Sequence, residues 1–468
     1  MSATPLNVKA RLGAMMFLQF AINAMWVVPL VNCLIAKGYG DIKATGSDAI
    51  SLMINWVSWI GWEYTPSCWA AIVSPLFVGM IADRFFSSEK VMAVLNIVGG
   101  GLLFLAAMVV VGPDGKPQPW LFFWVMLAHC LCYMPTWSLT YSITFAHLKD
   151  QAREFPVIRT MSTLGWVAGS LISLGPVFGI AKIEETSWPL TLAGVLCVAT
   201  GIYNFFLPHT PPPAAGKKAT IGQLLGFDAL GLLKDRNFAV FMATSALILV
   251  PACFFWTYFN RYLDEISMPF PQLVQSLSQV GEVVVTLLLA FFLLRMNVKT
   301  LVSIGLAAWA LRYLAFYFGI GPSMAWAANA PAATSHWTAH TAMFFVSTQW
   351  PNFLGLLLHG FAFAFVFTVG AAYVDRKAPK ELKASAQGLL AFVTYGLGQL
   401  AGTLLGGKML SAYALRNAAG EAVKDAAGSD MHNWAPYWLW PAAISAVIAV
   451  LFSVAFCDKT RLRPEASG

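Results

Sequence analysis

Apolar residues fall along the chain in twelve long blocks. They run near 12–35, 62–82, 91–111, 119–146, 157–180 and 188–207, then near 237–260, 272–294, 299–319, 352–374, 384–407 and 435–457. A helix needs roughly 20 apolar residues to cross a hydrocarbon layer about 30 Å thick, and each block approaches that length. None shows the period-two alternation of a membrane-barrel strand. Inside lipid only helices then satisfy the backbone of such segments. The pattern predicts an all-α polytopic membrane protein with twelve transmembrane helices. The first block is longer than a signal-peptide core and is expected to be a retained span.

The widest polar break divides the blocks six and six. It opens with Pro208 and Pro211-Pro212-Pro213, which cannot continue a helix. Lys217 and Lys218 follow, and from Ile221 to Leu233 the apolar spacing suits a helix lying on the membrane surface. The expected organisation is an N-terminal six-helix bundle over 1–207, a cytoplasmic linker with a surface helix over 208–236, and a C-terminal six-helix bundle with a short tail over 237–468. Transporters built from two six-span bundles have this layout and bind their cargo near mid-membrane. Segments 38–60 and 320–350, rich in Trp, Ala and Ser, are read as outer loops, with a cap over the outer mouth as the alternative.

Composition excludes a soluble protein. Hydrophobic residues make up 58% of the chain and charged ones 11%, against about 25% charged in a typical soluble domain. The net charge of +7 does not point to nucleic acid, because its distribution follows the membrane. With the N-terminus inside and twelve crossings, 19 Lys and Arg fall in inside segments and eight in outside ones. That bias predicts cytoplasmic termini and a multi-pass protein of the cytoplasmic (inner) membrane.

The seven cysteines lie in or at the ends of apolar blocks, which suits packing rather than a disulfide or zinc framework. His336 and His340 are spaced by four but lack a third ligand. No His-Glu-x-x-His, Walker A or complete Gly-x-Gly-x-x-Gly motif is present, and no nucleophile–base pair is visible. No metal, cofactor or enzymatic activity is expected. Gly398, Gly402 and Gly406, spaced by four, suit close helix packing. The expected partners are a small-molecule substrate, protons and the lipid bilayer, for a monomer. A receptor would usually need a signalling domain, and only about ten residues follow the last block.

Among the 22 acidic residues, Glu282 stands out as lying well inside an apolar block. A carboxylate there is costly unless partnered or protonated, which suits a reversible proton carrier. Gln275, Ser278, Gln279, Glu282 and Thr286 share one helical face by their spacing. The face suits either function or an interhelical hydrogen-bond network. Arg159, Thr163, Trp166 and Ser170 form a similar face, as do Gln19, Asn23 and Trp26, and Tyr133, Trp137 and Tyr141. Aromatic planes can stack on a base or sugar ring, but they are also ordinary core residues. Arg159 suits either a cytoplasmic anchor or a donor of several hydrogen bonds to cargo or to Glu282. Arg312 is read as structural or snorkelling.

Some stretches resemble known sequences. Gly79-Met80-Ile81-Ala82-Asp83-Arg84 resembles the Gly-x-x-x-Asp-Arg gating motif of the major facilitator superfamily, carried here by Gly79, Asp83 and Arg84. Phe17-Leu18-Gln19-Phe20, Tyr133-Met134-Pro135-Thr136, Phe155-Pro156-Val157-Ile158-Arg159 and Leu225-Gly226-Phe227-Asp228-Ala229 resemble the nucleoside:proton symporter family within it. So do Ser278-Gln279-Val280-Gly281-Glu282, Ala308-Trp309-Ala310-Leu311-Arg312-Tyr313 and Ala384-Ser385-Ala386-Gln387-Gly388. The resemblance implies the major facilitator fold and proton-coupled uptake of a nucleoside by alternating access. It places substrate or coupling contacts at Gln279 and Glu282, and lines the site with Arg159, Thr163 and Trp166. Gln19, Asn23, Tyr133, Trp137 and Trp256 complete the candidate substrate-binding set, expected around one central cavity, with Glu282 as the proton-coupling group.

The chain departs from the family at three places. Cys253 and Trp256 stand where the family carries polar amides in the seventh span, and Ala364 stands where it carries an aspartate in the tenth. His359 lies five residues from Ala364 and so on a different helical face. The more aromatic pocket leaves a sugar or glycoside as the alternative cargo.

Overall fold

The computed structural model describes residues 4–82, 86–149, 151–178, 182–211, 227–266, 268, 270–329, 350–379, 382–424 and 430–461. The chain is helical and divides into two compact units, Met1–Leu224 and Leu225–Gly468. Among the described residues, eight helical stretches are long and apolar enough to cross a membrane: Leu6–Ala36, Ser88–Val109, Pro119–His147, Arg236–Glu265, Val298–Gly321, Trp350–Lys377, Ala386–Ala412 and Trp434–Ala455.

In the first unit the helices are α1 (Leu6–Val27), α2 (Leu30–Ala36), α3 (Ala49–Trp62), α4 (Thr65–Ala82), α5 (Ser88–Val109), α6 (Pro119–His147), α7 (Gln151–Ser170) and α8 (Trp188–Asn204). α1 and α2 together fill the first apolar block, and the break between them falls at Val28-Pro29, where proline removes a donor. α7 tightens into a 3-10 segment, Leu171–Phe178, within the fifth block. One apolar cluster, with Leu12, Met15, Met92, Ile143 and Ile158 at its centre, ties α1, α5, α6 and α7 together.

α1 and α7 touch backbone to backbone. A Cβ at Gly165 would lie 2.0 Å from the Phe17 carbonyl oxygen, and one at Gly169 would lie 2.4 Å from that of Ala21. Small residues spaced by four permit this approach, which dispersion between helices rewards in lipid.

α3 corrects the reading of 38–60 as loop. Asp48 caps it, accepting from the backbone N–H of Ile50 and Ser51 at 3.0 Å and from the Ser51 hydroxyl at 2.7 Å. The bonds from Ser51 come first among those that hold the Asp48 carboxyl below the usual carboxylate range. Ser58, at φ 70°, kinks the helix. The apolar run over Ile50–Ile60 is too short to announce a span, and its Asp cap gives the only helix-start signal.

In the second unit, α9 (Arg236–Glu265), α10 (Pro271–Leu287), α11 (Leu289–Arg295) and α12 (Val298–Asn329) precede α13 (Trp350–Leu357), α14 (His359–Phe363) and α15 (Val369–Lys377). α16 (Lys383–Ala391), α17 (Gln399–Ala412) and α18 (Trp434–Ala455) follow. Wide π turns, Ala364–Thr368 and Phe392–Gly398, interrupt the tenth and eleventh blocks. Gly398 and Gly402 admit α9 closely, at the carbonyls of Ala246 and Leu249, as their spacing predicts. Of the expected surface helix, the part from Phe227 falls in a 3-10 segment, Phe227–Lys234, and the part before it lies outside the described residues.

Candidate functional site

The first unit gathers its polar residues around α1. Gln19 is fully buried. Its amide nitrogen donates to the Thr136 hydroxyl, and its Oε1 accepts from Asn96 Nδ2 at 3.1 Å. The Tyr133 hydroxyl donates to the backbone carbonyl of Gln19. Asn96 on α5 had no place in the sequence reading, because one polar residue in an apolar block carries no face. The arrangement links α1, α5 and α6 through one side chain. Tyr133 also stacks on His129 at 5.4 Å, and His129 Nδ1 lies 2.9 Å from the Gly99 carbonyl.

Beside this network lies a cation–ring stack. The Arg159 guanidinium stands 5.3 Å from the centre of the Phe20 ring, and Phe20 stacks on Trp137 at 5.3 Å. Arg159 Nη1 also donates to the Ser162 hydroxyl. Arg159, Trp137 and Trp166 are half-buried, whereas Asn23 and Thr163 are buried. Phe20 was not singled out in the sequence; its place one residue after Gln19 on α1 is fixed by the glycine contacts with α7. Asp83 and Arg84 of the gating motif lie outside the described residues, and Gly79 lies in α4. His336 and His340 also lie outside them.

In the second unit α10 turns its polar face inward. Gln275, Ser278 and Glu282 are buried and Gln279 is half-buried, while Val280, Val284 and Leu287 are exposed on the opposite face. α10 meets α14 without side chains between them: a Cβ at Gly360 would fall 2.1 Å from the Gly281 carbonyl oxygen. Each glycine neighbours a titratable residue, so the crossing sets Glu282 beside His359, with Oε2 and Nε2 4.0 Å apart. His359 Nδ1 in turn lies 2.8 Å from Arg312 Nη1 on α12.

Of the two readings of Arg312, structural or snorkelling, its burial favours the first. Its side chain is fully buried. The guanidinium carbon lies 3.8 Å from the centre of the Phe255 ring and 4.9 Å from that of Trp309. It cannot reach an interface because it stands in mid-helix, walled by aromatic rings, and ring faces attract a cation by about 0.5–2 kcal/mol each. Trp256 meets Trp309 edge-on at 6.2 Å. Cys253 and Ala364 are buried.

Other acids are buried too, outside the interiors of the apolar blocks. Glu89 meets His209 at 2.9 Å and the Thr210 N–H at 3.0 Å, and Glu154 meets Lys9 at 2.6 Å. Glu63 is buried with no hydrogen bond to either carboxylate oxygen among the described residues. These residues stand near block ends, where sequence alone suggests solvent.

Comparison with known proteins agrees with this architecture. A family model described as nucleoside H+ symporter matches residues 6–461. The putative nucleoside transporter YegT of Escherichia coli (strain K12) is 36% identical over 449 residues, covering 96% of this chain and 93% of its own length. The xanthosine permease of the same organism is 28% identical over 467 residues, 96% of each. A crystal structure of the nucleoside transporter NupG, in a mutant form, matches with a TM-score of 0.74 at 25% identity, covering 96% of this chain and 100% of that one.

Proposed function

The chain belongs to the nucleoside H+ symporter family, and from that premise we propose that it takes up nucleosides across the cytoplasmic membrane together with protons. It is a multi-pass membrane transporter and not an enzyme. The observation that carries the reading of its chemistry is Glu282: a buried carboxyl on the inward face of α10, next to the half-buried amide of Gln279. Such a group can take a proton reversibly as the transporter turns over, whereas Trp256 and Ala364 carry no group that titrates near neutral pH. We assign cargo contacts to Arg159, Thr163, Trp137 and Trp166 in the first unit and to Gln279, Glu282 and Trp256 in the second. Gln19, Asn23 and Tyr133 hold or border the first set.

Twelve spans in two six-helix bundles, with the linker and both termini cytoplasmic and the protein a monomer, complete the proposal. Cys457, just beyond α18 and exposed, offers a topological test that needs no added cysteine. A membrane-impermeant maleimide is expected to label it in inside-out vesicles and not in intact cells, with Cys457→Ser as the blank. Labelling in intact cells would place the tail outside.

The second reading, a sugar or glycoside, is favoured by the aromatic Trp256, which meets Trp309 and Phe367. Thermal shift of the purified protein against a panel of nucleosides and of sugars separates the two. Nucleosides are expected to raise the melting temperature, and stabilisation by sugars alone would reverse the assignment.

A further inference from the structure

The tenth apolar block holds no acid, yet it carries a titratable side chain, His359, that the packing brings within 4.0 Å of Glu282. We propose that His359, held by Arg312, is the positioning residue that sets the protonation of Glu282 by presenting an N–H to the carboxylate. The inference rests on the proton-coupled reading and names a device within it.

A guanidinium donates and never accepts. The imidazole nitrogen facing it, Nδ1 at 2.8 Å, must therefore be the lone-pair nitrogen. A neutral imidazole then carries its proton on Nε2, the atom 4.0 Å from Glu282 Oε2. A movement of about 1 Å turns that separation into a charge-assisted hydrogen bond. The same geometry disfavours imidazolium, since a second proton on Nδ1 would face Arg312 N–H to N–H. His359 thus orients and polarises, and Glu282 carries the exchangeable proton.

Arg312 has no competing task. Its Nε and Nη2 have no hydrogen-bond partner among the described residues, and its plane lies over Phe255. The guanidinium charge is buried with the His359 imidazole as a polar contact, so its field acts along the imidazole towards α10. The ionisable groups that neighbouring helices carry to this region are His359 on α14, Arg312 and Tyr313 on α12, and Cys253, Tyr258 and Tyr262 on α9. Tyr313 donates to the Pro251 carbonyl at 2.5 Å and Tyr262 to Asn352 at 3.3 Å. Arg261, Asp264 and Glu265 on α9 form their own cluster, which His432 joins through Glu265 at 2.6 Å.

The sign follows. An N–H donor and a positive charge favour the ionised carboxylate, so losing either raises the pH at which Glu282 releases its proton. Glutamine at 359 can still accept from Arg312 and donate to Glu282; asparagine is one bond too short to do both. The test is the pH titration of the carboxyl C=O infrared band that Glu282→Gln removes from the purified protein, beside the pH profile of nucleoside uptake into liposomes. His359→Asn and Arg312→Met are expected to move the midpoint upward by about one unit or more, and His359→Gln to leave it near the native value. Both His359 variants are small and polar, so the comparison survives if Arg312→Met fails to fold. An unmoved midpoint in His359→Asn, or an equal shift in His359→Gln, overturns the proposal. If instead the band shifts as expected while native uptake ignores a pH gradient, the His359 assignment stands and the proton-coupled reading falls.

Discussion

Glu282→Gln is expected to abolish pH-driven accumulation of nucleoside while leaving downhill exchange at least partly active. A symporter must change charge with its proton as the site alternates between the two sides of the membrane, and the amide keeps the shape of the acid without the titration. Stoichiometry gives the magnitude. With one proton per nucleoside, a gradient of one pH unit is worth about 1.4 kcal/mol and sustains about tenfold accumulation. The variant should equilibrate its cargo and accumulate none. In radiolabelled uptake into liposomes, accumulation persisting at the native level in Glu282→Gln would show that another group carries the proton. Loss of downhill exchange as well would mark Glu282 as essential to binding rather than to coupling.

The crossing of α10 and α14 yields the second large effect. A methyl at Gly360 would sit 2.1 Å from the Gly281 carbonyl oxygen, well inside van der Waals contact, and the obstacle is backbone rather than a side chain that can turn away. The helices must part by about an ångström. Overpacking of this kind costs about 1–3 kcal/mol, and parting the helices also carries His359 from Glu282. Gly360→Ala is therefore expected to lower the melting temperature of the purified protein by several degrees and to cut uptake. Gly101 on α5 serves as the control, because a Cβ there meets nothing within 4 Å. Gly101→Ala should be neutral or mildly stabilising, since alanine favours a helix interior by about 1 kcal/mol over glycine. Equal losses in the two variants would show that the contact at Gly360 has no special weight.

Much of the fold was legible because lipid imposes a single rule, apolar runs of spanning length. The inward face of α10 was legible for the same reason, since Gln275, Ser278 and Glu282 stand opposite Val280 and Val284. The interruptions were not. The π turns at Ala364–Thr368 and Phe392–Gly398 arise in unbroken apolar sequence, where hydrophobicity has no means of recording one extra residue per turn. α3 was missed because an amphipathic outer segment of its length reads as loop. Arg312 and His359 were both noticed yet left unpaired, because their partnership depends on the approach of α10, α12 and α14, and a helical face shows direction without showing what it meets. Gln19 was read as a cargo contact, and in the structure its amide is hydrogen-bonded to Thr136 and Asn96. Arg159 and Trp137, by contrast, remain partly open through the stack on Phe20.

Proton-driven uptake of a nucleoside is open to one direct measurement. The purified protein is placed in liposomes with an alkaline interior, an acidic exterior and radiolabelled nucleoside outside. Accumulation above the external concentration is predicted, scaling with the imposed pH difference, collapsing with a protonophore and competed by unlabelled nucleosides but not by sugars. Equilibration that ignores the gradient, or accumulation of a sugar or glycoside in place of nucleosides, would contradict it.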